Sequence, residues 1–173
     1  MRIMSASIGA LSLLLAPGEA PAQEADPFAP YADLVAACYD DPEGSARPGC
    51  RGLASDACMH EVEAGMSTHG MTRCLLAERD GWDALLNREY AHALDFAGAM
   101  DDSDRDHFPE FADRTGQLRA AQRAWIAWRD ANCGMWEGLW GSGSMRLIFA
   151  ADCLLTMTAE RTLELREYRT TMQ

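Results

Sequence analysis

Leu118-Arg-Ala-Ala-Gln122-Arg-Ala-Trp125-Ile-Ala-Trp128-Arg129-Asp-Ala-Asn-Cys133 contains neither proline nor glycine and is rich in alanine and arginine. Both are good helix formers. Leu118, Gln122, Trp125, Arg129 and Cys133 recur at steps of three or four, so they share one helical face. Trp128 sits beside them and is expected to widen that face. Buried indole N–H and amide groups need partners, which other helices must supply. The expected fold is therefore all-α.

The flanking chain extends this pattern. Gly141-Ser142-Gly143-Ser144 reads as a turn, and Met145–Thr170 as a last helix with Leu147, Ile148, Ala151, Leu154, Leu155, Thr158, Thr162 and Leu165 inward. On the other side, Met71–Gly98 reads as a long helix with Trp82, Leu85, Leu86, Tyr90 and Leu94 at helical spacing. Asp101–Asp106 reads as an acidic break, and Pro109 and Gly116 limit order up to the central helix. Arg51–Ala64 and Tyr31–Tyr39 read as shorter helices, separated by the Pro/Gly-rich loop Asp40–Gly49. No alternating strand pattern and no internal repeat occurs. The expectation is a disulfide-stapled antiparallel bundle of about four main helices, the central and last forming a hairpin.

The first residues read as a secretory signal over residues 1–22. Arg2 supplies the charge, Ile8–Leu15 the apolar run and Ala20-Pro21-Ala22 the cleavage site. The run is too short for a permanent membrane span. No cysteine follows it closely, so no lipid or membrane anchor is expected after cleavage. Residues 23–50 read as an N-terminal extension, with Gln23–Pro30 a flexible lead-in, and 51–173 as the helical domain. The expected location is periplasmic or secreted.

Six cysteines, Cys38, Cys50, Cys58, Cys74, Cys133 and Cys153, fit an oxidising compartment. Six allow many connectivities. Spacing favours sequential neighbours: Cys38–Cys50, Cys58–Cys74 and Cys133–Cys153. Cys133 lies seven residues before Trp140 and Cys153 eight after Met145. At about 1.5 Å per residue both stand roughly 11–12 Å from the turn, level across a hairpin. Cys58 and Cys74 are placed less evenly around their loop.

The chemistry-bearing motifs are sparse. CxxC, CxxCH, GxSxG and SxxK are absent. His60, His69, His92 and His107 lack HxxxH spacing, so no zinc site or other cofactor is expected; Cys58, His60, His69 and Cys74 could surround a metal, but export assigns the cysteines to disulfides. The ten methionines are scattered and read as core fillers. Among 27 acids, pairs such as Glu61/Glu63 or Asp80/Asp83 have no local support as a glycosidase pair. No enzyme and no catalytic residue is expected. A formal charge of −12, with 15 arginines and no lysine, disfavours nucleic acid and favours a basic partner.

One ordered set of residues resembles a known family. Cys58, Gly70-Met-Thr-Arg-Cys74, Glu78, Trp82-Asp83, Leu86-Asn87 and Tyr90 come first. Leu118, Ala121-Gln122-Arg123, Trp125-Ile126, Arg129-Asp130 and Cys133 follow, then Gly141-Ser-Gly-Ser-Met145, Cys153, Thr158, Arg161 and Leu165. The set resembles the LprI-type lysozyme inhibitor domain from about Cys58 to Leu165. The resemblance implies a small exported helical domain with disulfides that inhibits lysozyme. Cys38…Cys50 looks like a subgroup feature, and the missing lipobox departs from the lipoprotein members.

Within this frame Asp83, Asn87, Tyr90, Gln122, Trp125 and Arg129 read as a buried polar network that fixes helix register. A blocker of a lysozyme-like glycoside hydrolase would offer a small, pre-shaped loop to the two carboxyl groups of its cleft. Ser142, Gly143, Ser144 and Arg146 form one candidate loop; Ser67, Thr68 and His69 form the other. Helix capping competes for the hydroxyls of both. The alternative function is an envelope accessory or structural protein that binds another partner through its acidic surface.

Overall fold

The computed structural model describes residues 25–41 and 47–171. The expected signal at 1–22, and residues 42–46 of the loop between Cys38 and Cys50, lie outside the described residues. Among the described residues the chain forms five α-helices and no strand. These are α1 (Tyr31–Tyr39), α2 (Leu53–Glu61), α3 (Thr68–Asp104), α4 (Arg114–Leu139) and α5 (Met145–Thr171). Short 3-10 turns occupy Arg47–Cys50 and Pro109–Phe111. The fold is all-α and stapled by Cys38–Cys50, Cys58–Cys74 and Cys133–Cys153.

The core is built on α3 and α5. Leu75, Trp82 and Leu85 pack with Ala151, Leu155 and Ala159, and Leu86 and Ala93 pack with Leu165. Residue numbers rise together along the two helices, so they are parallel neighbours. Thr162 lies fully buried between them, and its hydroxyl donates to the carbonyls of Thr158 (2.8 Å) and Trp82 (3.3 Å). α4 runs the other way against α5, with Leu118 and Trp125 on the second cluster and Cys133 bridged to Cys153. α1 approaches α3 closely at Gly81, where a β-carbon would collide with the Ala32 carbonyl and the Val35 side chain. Tyr39 of α1 is buried with its ring edge-on to Trp82 at 5.9 Å, under the guanidinium groups of Arg88 and Arg166. Burial is the main reason its phenol titrates above the usual range.

Two carboxylates on α3 start two other helices. Glu78 is fully buried and accepts from the backbone N–H of Gly52 (2.6 Å) and Ser55 (2.7 Å) at the head of α2. It also accepts from the Trp82 indole N–H (3.2 Å). Asp101 accepts from the N–H of Arg114 (2.8 Å) and Thr115 (3.0 Å) at the head of α4. The first turn of a helix leaves N–H groups without intrahelical partners and carries positive partial charge, so a carboxylate there is stabilising. The residues preceding the two helices, Gly52 and Asp113, make no side-chain cap of their own. Their place is taken from across the fold.

Several expectations need correction. The break falls late within Asp101–Asp106: α3 continues through Gly98 and ends at Asp104, with Asp101 used as a remote cap and Asp104 paired with Arg114 at 2.6 Å. Gly116 lies inside a helix. The residues before α1 are not a loose lead-in from Asp26 onward. Asp26 pairs with Arg73, and Phe28 lies edge-on to His69 and beneath the Arg73 guanidinium. Trp128 does not widen an inner face, being 60% exposed. It stands about 100° round the helix from the Gln122–Arg129 line, and α4 packs along a narrow stripe in which Gln122 and Cys133 are the buried residues.

Candidate partner-binding site

The Gly141–Ser144 loop joins α4 to α5 at one end of the bundle. Gly141 takes a left-handed φ of 52°, a conformation that glycine adopts without strain. Backbone bonds from Gly143 N–H to the Trp140 carbonyl (2.9 Å) and from Arg146 N–H to the Gly143 carbonyl (3.3 Å) shape the turn. Ser142, Gly143, Ser144 and Arg146 are all exposed. Arg146 approaches Glu137 at 4.0 Å, an exposed pair of small energetic weight. The Cys133–Cys153 bridge, with Cα atoms 5.5 Å apart, ties the base of this hairpin. Met157 packs its sulfur against both bridged sulfurs, at 3.7 and 3.8 Å.

The second candidate loop is committed to the fold more heavily. Ser67 is the N-cap of α3, its hydroxyl accepting from Gly70 N–H at 3.0 Å. Thr68 is half-buried, while His69 is exposed with Phe28 against its ring. Thr162 bonds to Trp82, and Leu155 shares a cluster with Leu75, so α3 and α5 keep a register of about 80 residues. That register places Ser67–His69 and Ser142–Arg146 at the same end of the bundle.

The polar residues divide into two groups. Gln122 accepts from Arg161 Nε at 3.0 Å. Trp125 lies under the guanidinium groups of Arg129 (5.1 Å) and Arg161 (5.9 Å). Gln122, Trp125 and Arg129 are thus brought together, with Arg161 as the member that their own helix could not reveal. Arg129 also pairs with Asp130 at 2.8 Å. Asp83 and Asn87 form a separate pair at 3.2 Å on the outside of α3, and Tyr90 packs on the second core cluster. All six cysteines are in disulfides, so none is available as a thiolate nucleophile or metal ligand.

The hairpin end carries a feature that sequence reading passed over. Met135, Trp136, Leu139, Trp140, Met145 and Leu147 are all exposed, Leu139 at 67%. Trp140 stacks on Phe149 with ring centroids 4.4 Å apart. Trp136 and Phe149 border a groove of about 290 Å³ with Asn132, Asp152 and Met157. The signal available in the sequence was charge: from Ala131 to Ala151 the charged residues are Glu137 and Arg146.

A family model described as lysozyme inhibitor LprI matches residues 58–165. The uncharacterized protein R02472 of Rhizobium meliloti (strain 1021) is 35% identical over 120 residues, covering 68% of this chain and 86% of that protein. No solved structure matches the chain. Among the described residues no helix is long and apolar enough to cross a membrane.

Proposed function

The chain belongs to the LprI lysozyme inhibitor family, and from that premise we propose that it is an exported protein that binds a lysozyme or related muramidase and blocks its cleft. Membership is the observation that carries the reading. The matched span of 58–165 takes in α4, α5 as far as Leu165, the Cys133–Cys153 staple and the Ser67 turn. Three disulfides fit the oxidising compartment in which such a target would be met. Residues 1–22 would direct export and be removed in the course of it. The protein needs no cofactor and performs no chemistry of its own. It acts by occupying the cleft, with Ser142–Arg146 as the leading loop and Ser67–His69 beside it.

A pre-shaped loop loses little entropy on binding. A net charge of −12 speeds encounter with a basic enzyme, and the gain falls as salt rises. The test is lysis of a cell-wall suspension by a basic, animal-type lysozyme with rising amounts of the oxidised protein, at low and moderate salt. The expected result is inhibition that saturates near one equivalent and is relieved by salt. Ser142→Trp and Arg146→Glu are expected to weaken inhibition with the helical signal unchanged; full inhibition by both would remove this loop from the site. No inhibition at large excess, repeated with a second lysozyme class, would leave an accessory protein with another envelope partner. Turnover of muropeptides without lysozyme would make the chain an enzyme.

A further inference from the structure

We propose that the docking element is the charge-poor aromatic tip of the α4–α5 hairpin, and that its apolar side chains, rather than the loop hydroxyls, carry the affinity for a basic muramidase. This rests on the inhibitor reading above. Six large apolar side chains, Met135, Trp136, Leu139, Trp140, Met145 and Leu147, are exposed around one turn. Burying them in the core would have been favourable by roughly 1.5–3 kcal/mol each, yet the fold leaves them on its edge helix and at its end. Tryptophan and methionine enriched, charge depleted, is the composition of the buried centre of a protein interface. Tryptophans there carry a large share of binding energy.

Charge selects the occupant. The tip from Ala131 to Ala151 holds Glu137 and Arg146, which face each other at 4.0 Å and leave it neutral. The whole chain carries −12. A second copy would bring a second acidic body, so self-docking through the tip is opposed by like charge. A basic glycosidase is complementary on both counts. Its cleft holds two carboxyl groups, which would repel an acidic probe but accept a neutral one with an arginine at hand. Its basic outer surface would face the acidic body of the bundle. The tip is also stiff: the bridge ties its base and the Trp140–Phe149 stack fixes an indole in place. Little ordering is left to oppose binding.

The experiment compares the full oxidised protein with Leu139→Glu and Met145→Glu by calorimetric titration into a basic lysozyme, with far-UV circular dichroism to check folding. Two variants are used so that a folding defect in one leaves the other to decide. Each is expected to raise Kd at least about 30-fold, the effect of losing a hot-spot contact, while Asp102→Asn, remote from the tip on the end of α3, changes it less than about threefold. Unchanged Kd in both tip variants, with the parent still binding, overturns the tip assignment and leaves the inhibitor reading standing. A parent that binds neither this lysozyme nor one of a second class overturns the inhibitor reading and this assignment with it. Sedimentation and tryptophan fluorescence with a chitooligosaccharide complete the test. A dimer that Leu139→Glu dissociates, or saturable quenching by the sugar at the tip, reassigns the surface to a second copy or to a glycan and overturns the proposal.

Discussion

The α2–α3 side of the molecule and the α4–α5 hairpin treat the same kinds of side chain in opposite ways. Around α2 and α3 a carboxylate is fully buried and a tryptophan lies beneath it, each satisfying the other. At the hairpin end Leu139 stands mostly in solvent and two tryptophans stacked on Phe149 stay partly exposed, although a core lies a few turns away. Burying Glu78 costs desolvation, which three donated hydrogen bonds offset. Exposing Leu139 forgoes stability that no contact among the described residues returns. One region closes on its own contacts, and the other leaves apolar surface exposed.

Substitution can break that contrast. Glu78→Ala should cost most, about 3–5 kcal/mol in urea unfolding, because it strands two backbone N–H groups and an indole N–H. A loss under 1 kcal/mol would show that water replaces the carboxylate and that this side is not sealed. Removing the hairpin bridge with a Cys133→Ala, Cys153→Ala pair should cost about 3 kcal/mol for its 20-residue separation. If the protein inhibits lysozyme and inhibition survives that loss, stiffness of the hairpin is unimportant to the proposed docking.

Asp101→Asn should act more mildly and with a pH signature. The N–H groups of Thr115 and Arg114 hold the Asp101 carboxyl below the usual carboxylate range, Thr115 most strongly. Its contribution is therefore complete above the unfolded value near pH 4, and is lost as pH falls through the depressed folded value. The melting temperature of Asp101→Asn should lie below the parent at pH 7 and converge with it in strong acid. A gap that stays constant with pH would assign the effect to packing instead of charge. The smallest effect is expected at the tip, where Leu139→Ser should change stability by no more than about 0.5 kcal/mol. A larger loss would mean that the exposed side chains support the fold after all.

Much of this architecture is local in sequence and could be read there. The α1 helix has the expected bounds Tyr31–Tyr39, and the hairpin arithmetic that set Cys133 level with Cys153 agrees with the bridge between them. What could not be read is whatever depends on a distant partner. Asp101 looks like one more acid in Asp101–Asp106 until the head of α4 comes back to it. Arg161 completes the Gln122 pair from another helix, 39 residues on. Periodicity says which side chains are apolar, but Trp128 shows that it does not say whether a neighbour covers them. The candidate loops were visible from their small residues, whereas the aromatic tip was hidden by the assumption that tryptophans go inside.

The three bridges span separations of 12, 16 and 20 residues and none overlaps another. A chain emerging N-terminus first into an oxidising space presents Cys38 and Cys50 before Cys58, and Cys58 and Cys74 well before Cys133. The first thiol of each pair therefore meets its proper partner as the next cysteine to appear. Pairing in order of arrival yields the native connectivity, so a simple thiol oxidant suffices and no step of disulfide reshuffling is required.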